Sequence, residues 1–137
     1  RRAVLADKNF NFLYFVKKNN SKKLKCIFVD ESQFLKKEQV NQLGNIADDL
    51  DITVMCYGLR TDFKGKLFEG SARLLSIADN LHELKTICTY CTRKATMTIR
   101  LNEHGKIDLN GRTIKTNNKQ QYKPVCRNHF KKMTQLF

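Results

Sequence analysis

Two short pairs of metal-binding side chains constrain the fold of this chain more than any other feature. Cys88 and Cys91 are separated by two residues, and Cys126 and His129 repeat that spacing further along the chain. Each pair can sit on a tight turn, and together they supply four ligands suited to tetrahedral Zn²⁺. Because all four positions are protein ligands, we expect a structural zinc ion whose binding contributes to the folding of a small C-terminal module.

The composition favours a globular chain with a hydrophobic core. The 137 residues are 41% hydrophobic and 28% charged, which is enough for one ordinary domain or for a small core with an appended module. Cys26 and Cys56 lie singly in apolar runs, and the odd total of five cysteines argues against a disulfide framework. No apolar run is long enough for a membrane span and no signal peptide is visible, so we expect a cytoplasmic location.

The net charge of +13 suits two classes of protein. Clustered lysines and arginines favour binding to a nucleic-acid backbone, and zinc ribbons also occur in such proteins. The basic residues are not concentrated in one stripe, however, and a positive charge equally suits an enzyme that acts on nucleotides. A zinc-ribbon nucleic-acid-binding or scaffold protein without catalysis therefore stays open as an alternative to an enzyme.

Apolar patterning predicts an α/β core followed by a β module. Residues 25–30 and 53–59 are predicted as buried strands on either side of a helix over 36–50, which makes a βαβ unit with a parallel sheet. A second helix is predicted over 69–81. After about residue 86 only short strands are expected, over 95–101 and 122–126, with a hairpin signal at Asn110 and Gly111. We therefore expect an α/β domain over 1–86 and a zinc-binding domain over 87–137.

The first predicted strand ends in two adjacent acids, Asp30 and Glu31. In phosphate-handling enzymes an acid at the carboxyl end of a strand binds Mg²⁺ and a neighbour handles a proton or water. Acids after strands also cap helices, so this signal is weak alone. The matching phosphate loop, G-x-x-x-x-G-K-[ST], does not occur in these 137 residues. The chain therefore carries half of a phosphate-transfer site.

A third unusual stretch runs from residue 58 to residue 71. It places Phe63 and Phe68 among charged residues and glycines. Two phenylalanines in so polar a segment can form an aromatic wall for a planar ligand such as a nucleobase. Packing of the rings beneath the loop is the alternative.

Five segments in order resemble one family. They are "VDESQFL", "CYGLRTDFKGKLFEGS", "ADNLHELKTIC", "RKATMTIRL" and "YKPVCRNHFK". Together they are similar to the thymidine kinases of bacteria, poxviruses and animal cytosol, over about residues 24–132. The resemblance implies a P-loop NTPase-like parallel sheet with helices, joined to a zinc-ribbon-like β domain. It also implies transfer of the γ-phosphate of ATP to the 5′-hydroxyl of thymidine, a homotetramer, dTTP as the candidate feedback inhibitor, and no nucleic-acid or membrane partner.

The resemblance also implies roles for individual residues. Glu31 matches the general base, Asp30 the acid associated with Mg²⁺, and Gln33 a position in the nucleotide site. The positions matched to the thymine pocket are Phe34, Leu59, Phe68, Phe63, Thr98 and Tyr122, the last in the lasso loop that closes over the nucleoside.

The sequence departs from the family pattern in two places. Asn117 and Asn118 stand in the lasso segment where many relatives have two glycines. The family's front strands and glycine-rich phosphate loop are missing from the sequence given, and residues 1–16 are not expected to have a counterpart. We therefore expect the full gene product to be a thymidine kinase and this stretch alone to be a catalytically incomplete, N-terminally truncated piece of one.

Overall fold

A computed structural model describes residues 3–19, 23–110 and 120–137. The described residues form two compact units: Arg1–Arg60 with Phe68–Leu81, and Thr61–Leu67 with His82–Phe137. The segment Thr61–Leu67 therefore packs with the C-terminal residues although it lies far from them in sequence. The division into domains 1–86 and 87–137 stays a prediction.

The first unit is built on a parallel pair of strands. Strand β1 (Cys26–Val29) lies beside β2 (Thr53–Cys56), with Ile27 opposite Val54 and Val29 opposite Cys56. The helix between them is α2 (Lys37–Leu50), and α1 (Phe12–Lys18) and α3 (Glu69–Ile77) complete the unit. The predicted mixed α/β class is confirmed, including the parallel sheet and its helices.

The spacing of apolar residues in α2 decides which of its faces is buried. Val40, Leu43 and Ile46 follow at intervals of three residues and are at most 2% exposed, and burial of each such side chain stabilises the fold by about 1.5–3 kcal/mol. At the N-terminus of this helix the Gln39 side chain accepts a hydrogen bond from the backbone N–H of Lys36. The core around this face consists of Phe12, Val16, Val29, Leu35, Val40, Leu43, Ile46 and Ile52.

Glutamines hold the N-terminal segment on α2. The Phe12 backbone N–H donates to Oε1 of Gln42 at 2.8 Å, and Nε2 of Gln39 donates to the carbonyl oxygens of Asp7 and Phe10. These contacts anchor α1, a helix that was not predicted from the sequence. The reason is its length of seven residues, which is too short for a clear helical period.

In its described part, the second unit contains two antiparallel strand pairs and one helix. Strand β3 (Thr86–Ile87) pairs with β4 (Lys94–Ala95), and β5 (Met97–Leu101) pairs with β6 (Gln121–Val125). Helix α4 (Arg127–Thr134) follows β6 directly. One hydrophobic core cluster of this unit consists of Cys88, Ala95, Ile99, Leu101, Val125, Cys126 and Phe130.

The structure differs from the predicted elements in several bounds. Helix α3 ends at Ile77 rather than at residue 81, because Ala78 is extended, with φ −70° and ψ 132°. The predicted strand 95–101 is two strands, and α4 was not predicted. The turn at Asn110 and Gly111 and the Asn117–Asn118 pair involve residues outside the described ranges. Among the described residues, no helix is both long and apolar enough to cross a membrane.

Candidate functional site

The four predicted metal ligands converge in the second unit. Cys88 follows β3, Cys91 lies in the turn after it, Cys126 is the residue before α4, and His129 lies in the first turn of that helix. Their ligand atoms all lie within 4.8 Å of one another. The Sγ atoms of Cys91 and Cys126 are 3.8 Å apart, and His129 Nδ1 lies 3.3 Å from Sγ of Cys126. The structure thus joins two pairs that are distant in sequence into one Cys₃His cluster.

The spacing and chemistry of the cluster fit a zinc ion. Zn–S bonds of about 2.3 Å and Zn–N bonds of about 2.0–2.1 Å put tetrahedral ligand atoms about 3.5–3.8 Å apart. The distance of 3.4 Å between Cys88 Sγ and His129 Nδ1 is close to that range. The Cys₃His cluster can therefore hold a zinc ion.

Hydrogen bonds and burial shift the pKa values of Cys88 and Cys91 in opposite directions. Burial raises the pKa of Cys88, but hydrogen bonds from the backbone N–H groups of Cys126 and Tyr90 and from the Cys91 and His129 side chains outweigh it and lower this pKa to about 6. At Cys91 a backbone hydrogen bond from Arg93 lowers the pKa, but burial and the neighbouring thiols raise it on balance. Three thiols this close ionise together only beside a cation, which is the role a metal ion fills.

The turn that carries the cluster is fixed to β6. Thr89 donates both its backbone N–H, at 3.0 Å, and its hydroxyl, at 2.8 Å, to the carbonyl oxygen of Pro124. The Cys88 N–H donates to the Arg93 carbonyl oxygen at 2.9 Å, which closes the turn. The two halves of the ligand set are therefore held together by the protein backbone as well as by any metal.

The acid pair lies at the carboxyl end of β1, at an exposed and strained turn. Glu31 has φ 52° and ψ 34°, the left-handed conformation that a residue with a side chain seldom adopts. Oδ1 of Asp30 accepts a hydrogen bond from the Glu31 backbone N–H at 2.8 Å. A 3₁₀ turn over Ser32–Phe34 follows. Strain of this kind is concentrated at functional sites, where surrounding contacts maintain it.

Gln33 lies behind this turn and is 2% exposed. Its Nε2 donates to Oε2 of Glu31 at 2.5 Å, and its Oε1 accepts from the backbone N–H of Leu59 at 3.0 Å. Leu59 belongs to the segment after β2, so one buried amide links the ends of the two parallel strands. The structure thereby brings together the predicted positions Glu31, Gln33 and Leu59.

Two aromatic side chains of the first unit form a pair beside the acids. The rings of Phe34 and Phe68 are 5.6 Å apart and nearly perpendicular, an arrangement that aromatic rings prefer. Phe34 is 48% exposed and Leu59 is 49% exposed. Large apolar side chains that remain this open are available to a ligand.

The other predicted pocket residues lie in the second unit, on one face of the β5–β6 pair. Thr98 and Arg100 are two residues apart in β5 and so share a face, and Tyr122 is opposite Arg100 in β6. The guanidinium group of Arg100 contacts the Phe63 ring, which brings Phe63 to the same face. Phe63 is 2% exposed and Tyr122 is 47% exposed. Phe63 is thus packed within the unit, as the alternative interpretation of its segment had it.

Arg100 is the structurally important residue that the sequence analysis missed. It is completely buried and is paired with Asp108 at 3.2 Å. The available signal was a charged residue in a strand whose alternate positions, Ile99 and Leu101, are apolar. That pattern is also typical of a strand with a solvent-exposed face, and only the contact with Phe63 distinguishes the two cases.

Comparisons with known proteins identify the family of this chain. The family model for thymidine kinase matches residues 2–130. The thymidine kinase of Mannheimia succiniciproducens is 49% identical over 135 residues, which is 98% of this chain and 69% of that protein. The thymidine kinase of Rhodopirellula baltica is 55% identical over 108 residues, 79% of this chain and 51% of that protein. The thymidine kinase of Streptococcus gordonii is 45% identical over 130 residues, which is 95% of this chain and 67% of that protein.

The comparisons bear on one expectation about the front of the chain. The expectation that residues 1–16 have no counterpart is wrong, because the family match begins at residue 2 and the Mannheimia match covers 98% of the chain. The chain spans 51–69% of the length of these three relatives.

Proposed function

The chain belongs to the thymidine kinase family, and we propose that the protein containing it transfers the γ-phosphate of ATP to the 5′-hydroxyl of thymidine, giving dTMP. The names of the relatives support thymidine as the substrate. The observation that carries the proposal is the acid turn, where an exposed Glu31 is held in a left-handed conformation at the carboxyl end of a parallel strand. Ligands of open α/β sheets bind at that end.

In the proposed mechanism Glu31 is the general base. Its carboxylate accepts the proton of the 5′-hydroxyl as that oxygen attacks the γ-phosphorus, and the bond from phosphorus to the β-phosphate oxygen breaks. A base positioned in this way contributes about 10²–10⁴ in rate. Its support is geometric, since Oε2 is fixed by Gln33 and the backbone by Asp30.

Asp30 is the residue that we propose for Mg²⁺ that accompanies ATP. Its carboxylate is exposed and adjoins Glu31 in sequence and space. Carboxylate oxygen is the protein ligand that Mg²⁺ prefers. When bound, Mg²⁺ neutralises charge on the phosphate oxygens during transfer.

We propose two candidate surfaces for the thymine ring, one within each unit. One consists of Phe34, Leu59 and Phe68 in the first unit, where the two rings are nearly perpendicular and Phe34 and Leu59 are about half exposed. The other is the face of the β5–β6 pair that carries Thr98 and Tyr122, on which the buried Phe63 packs against Arg100. An aromatic surface of this kind suits a planar pyrimidine.

The proposal extends to the metal, the assembly and the location. The Cys₃His cluster would bind structural Zn²⁺ and stabilise the second unit. As in the family, the protein would be a cytoplasmic homotetramer inhibited by dTTP.

Product analysis tests this function. The full-length protein that contains the chain is incubated with ATP, Mg²⁺ and each of four deoxynucleosides, and the products are separated by chromatography. We expect dTMP from thymidine and at least tenfold less monophosphate from deoxycytidine, deoxyadenosine or deoxyguanosine. No dTMP, together with salt-sensitive binding of an oligonucleotide, would instead support the zinc-ribbon nucleic-acid binder.

A further inference from the structure

We infer that Gln33 is a positioning residue for the proposed reaction, whose buried side-chain amide aims the Glu31 carboxylate. The inference rests on the proposed function, since it takes Glu31 as the base. It assigns Gln33 a role in orienting a neighbouring side chain, whereas the family resemblance implies a position in the nucleotide site.

Burial and hydrogen bonding argue for the positioning role. Gln33 is 2% exposed, so it offers almost no surface to a bound nucleotide. Its amide nitrogen donates to Oε2 of Glu31 at 2.5 Å and its amide oxygen accepts from the Leu59 N–H at 3.0 Å. Both polar atoms of the side-chain amide are therefore hydrogen-bonded within the protein.

The orientation of the amide is determined by its partners. A backbone N–H can only donate, so the oxygen of the Gln33 amide has to face Leu59. The amide nitrogen then faces Glu31, whose ionised carboxylate can only accept. Without this contact, Glu31 is an exposed side chain with three rotatable bonds, and its carboxylate could occupy many positions.

The surroundings of Gln33 leave the side chain little freedom. A Cβ atom at Gly58 would lie 2.4 Å from Oε1 of Gln33 and 2.8 Å from Oγ of Ser32, so the absence of a side chain there makes room for both. Ser32 is 2% exposed, and its hydroxyl and backbone N–H both donate to the Tyr57 carbonyl oxygen at 2.8 Å. The turn that carries the base is therefore fixed to the end of β2, and Gln33 transmits that rigidity to the Glu31 carboxylate.

The test compares kinetic constants of the full-length protein with Gln33→Met, a change that preserves an unbranched side chain and removes the amide. We expect kcat for thymidine to fall about 10- to 100-fold, the loss typical of a misplaced reacting group, while the KM for thymidine changes less than about threefold. Gln42→Met is the matched control, because Gln42 also accepts a backbone hydrogen bond in the first unit but does not touch Glu31. Its kcat should stay within about twofold of the wild type.

A double-mutant cycle separates positioning from general support of the fold. If Gln33 acts through Glu31, Gln33→Met should change the residual rate of Glu31→Gln by less than about twofold. If Gln33→Met does not fold, Gln33→Glu is measured in its place. One oxygen of the new carboxylate can still accept the hydrogen bond from the Leu59 N–H, but the other cannot donate to the Glu31 carboxylate. We expect the kcat of Gln33→Glu to fall at least as far as that expected for Gln33→Met.

The outcomes are distinct for the two proposals. An unchanged kcat in a folded Gln33 variant, or an equal further loss in the Glu31→Gln background, would overturn the role of Gln33 alone. A wild-type protein that does not phosphorylate thymidine would overturn the proposed function itself.

Discussion

The guanidinium carbon of Arg100 lies 3.7 Å from the centroid of the Phe63 ring. Arg100 is 0% and Phe63 2% exposed, and Nη2 of the arginine contacts both the Asp108 carboxylate and the Asn110 carbonyl oxygen. A buried cation is tolerated only with partners of this kind. Arg100 therefore fastens the 61–67 segment to β5 and to the residues after it.

Replacing Arg100 with methionine tests that attachment. The variant loses a buried ion pair and a desolvated cation–π contact, so the free energy of unfolding should fall by about 2–4 kcal/mol. Urea unfolding followed by circular dichroism measures the change. Lys64→Met is the control, because Lys64 Nζ lies 5.5 Å from the same ring but is partly exposed, and it should cost less than about 1 kcal/mol. Equal losses in the two variants would contradict the special role of Arg100.

Alanine substitutions at Gly70 and Gly44 should change the free energy of unfolding in opposite directions. A Cβ at Gly70 would lie 2.6 Å and 2.7 Å from the backbone oxygens of Ser32 and Leu35, so Gly70→Ala has to push α3 away from the acid turn. We expect a loss of about 1–3 kcal/mol in the free energy of unfolding. Gly44→Ala meets only Ile77 Cδ1 at 3.5 Å and lies within a helix, so it should gain up to about 1 kcal/mol. Thermal unfolding measures both variants. A more stable Gly70→Ala or a less stable Gly44→Ala would contradict the prediction.

Metal content should depend on the cluster and on no cysteine outside it. We expect about one zinc per chain in the purified protein, since four protein ligands complete a tetrahedral site. Cys126→Ser should lose the metal and destabilise the second unit, whereas Cys26→Ser, outside the cluster, should retain it. Elemental analysis of the dialysed proteins measures both. Full zinc occupancy in Cys126→Ser would refute this ligand set.

Glu31 and Asp51 share a left-handed backbone, with φ 52° and 51°, but only Glu31 has a buried hydrogen-bond partner. Asp51→Gly should therefore raise the free energy of unfolding by about 1 kcal/mol through relief of strain. Glu31→Gly gains the same relief but deprives the buried Gln33 amide of its acceptor, which costs about 1–3 kcal/mol. Chemical denaturation should find Glu31→Gly the less stable of the two. Equal stability would mean that the bond from Gln33 contributes nothing.

Local patterns predicted much of this fold. The three-residue spacing of Val40, Leu43 and Ile46 identified α2, because burial on one helical face requires that period. The short β-branched and aromatic runs identified β1 and β2, and the repeated Cys/His spacing identified the metal cluster.

The missed features depend on contacts between residues that are distant in sequence, or on short elements. The sequence pattern predicts a solvent-facing side chain for Arg100, and its burial follows only from its contact with Phe63. The left-handed backbone of Glu31 is maintained by its surroundings, since no sequence pattern predicts that conformation for glutamate. Helix α4 has eight residues and begins between two metal ligands, so its apolar period was too brief to recognise.

Thymidine phosphorylation by Glu31→Gln tests the central claim most directly. This substitution removes the basic oxygen but preserves the size of the side chain. In the full-length protein with ATP and Mg²⁺, we expect the rate of dTMP formation to fall by about 10²–10⁴, while thymidine binding measured by calorimetry stays within about threefold of wild type. A variant that binds thymidine and forms dTMP at the wild-type rate would contradict the assignment of Glu31 as the base.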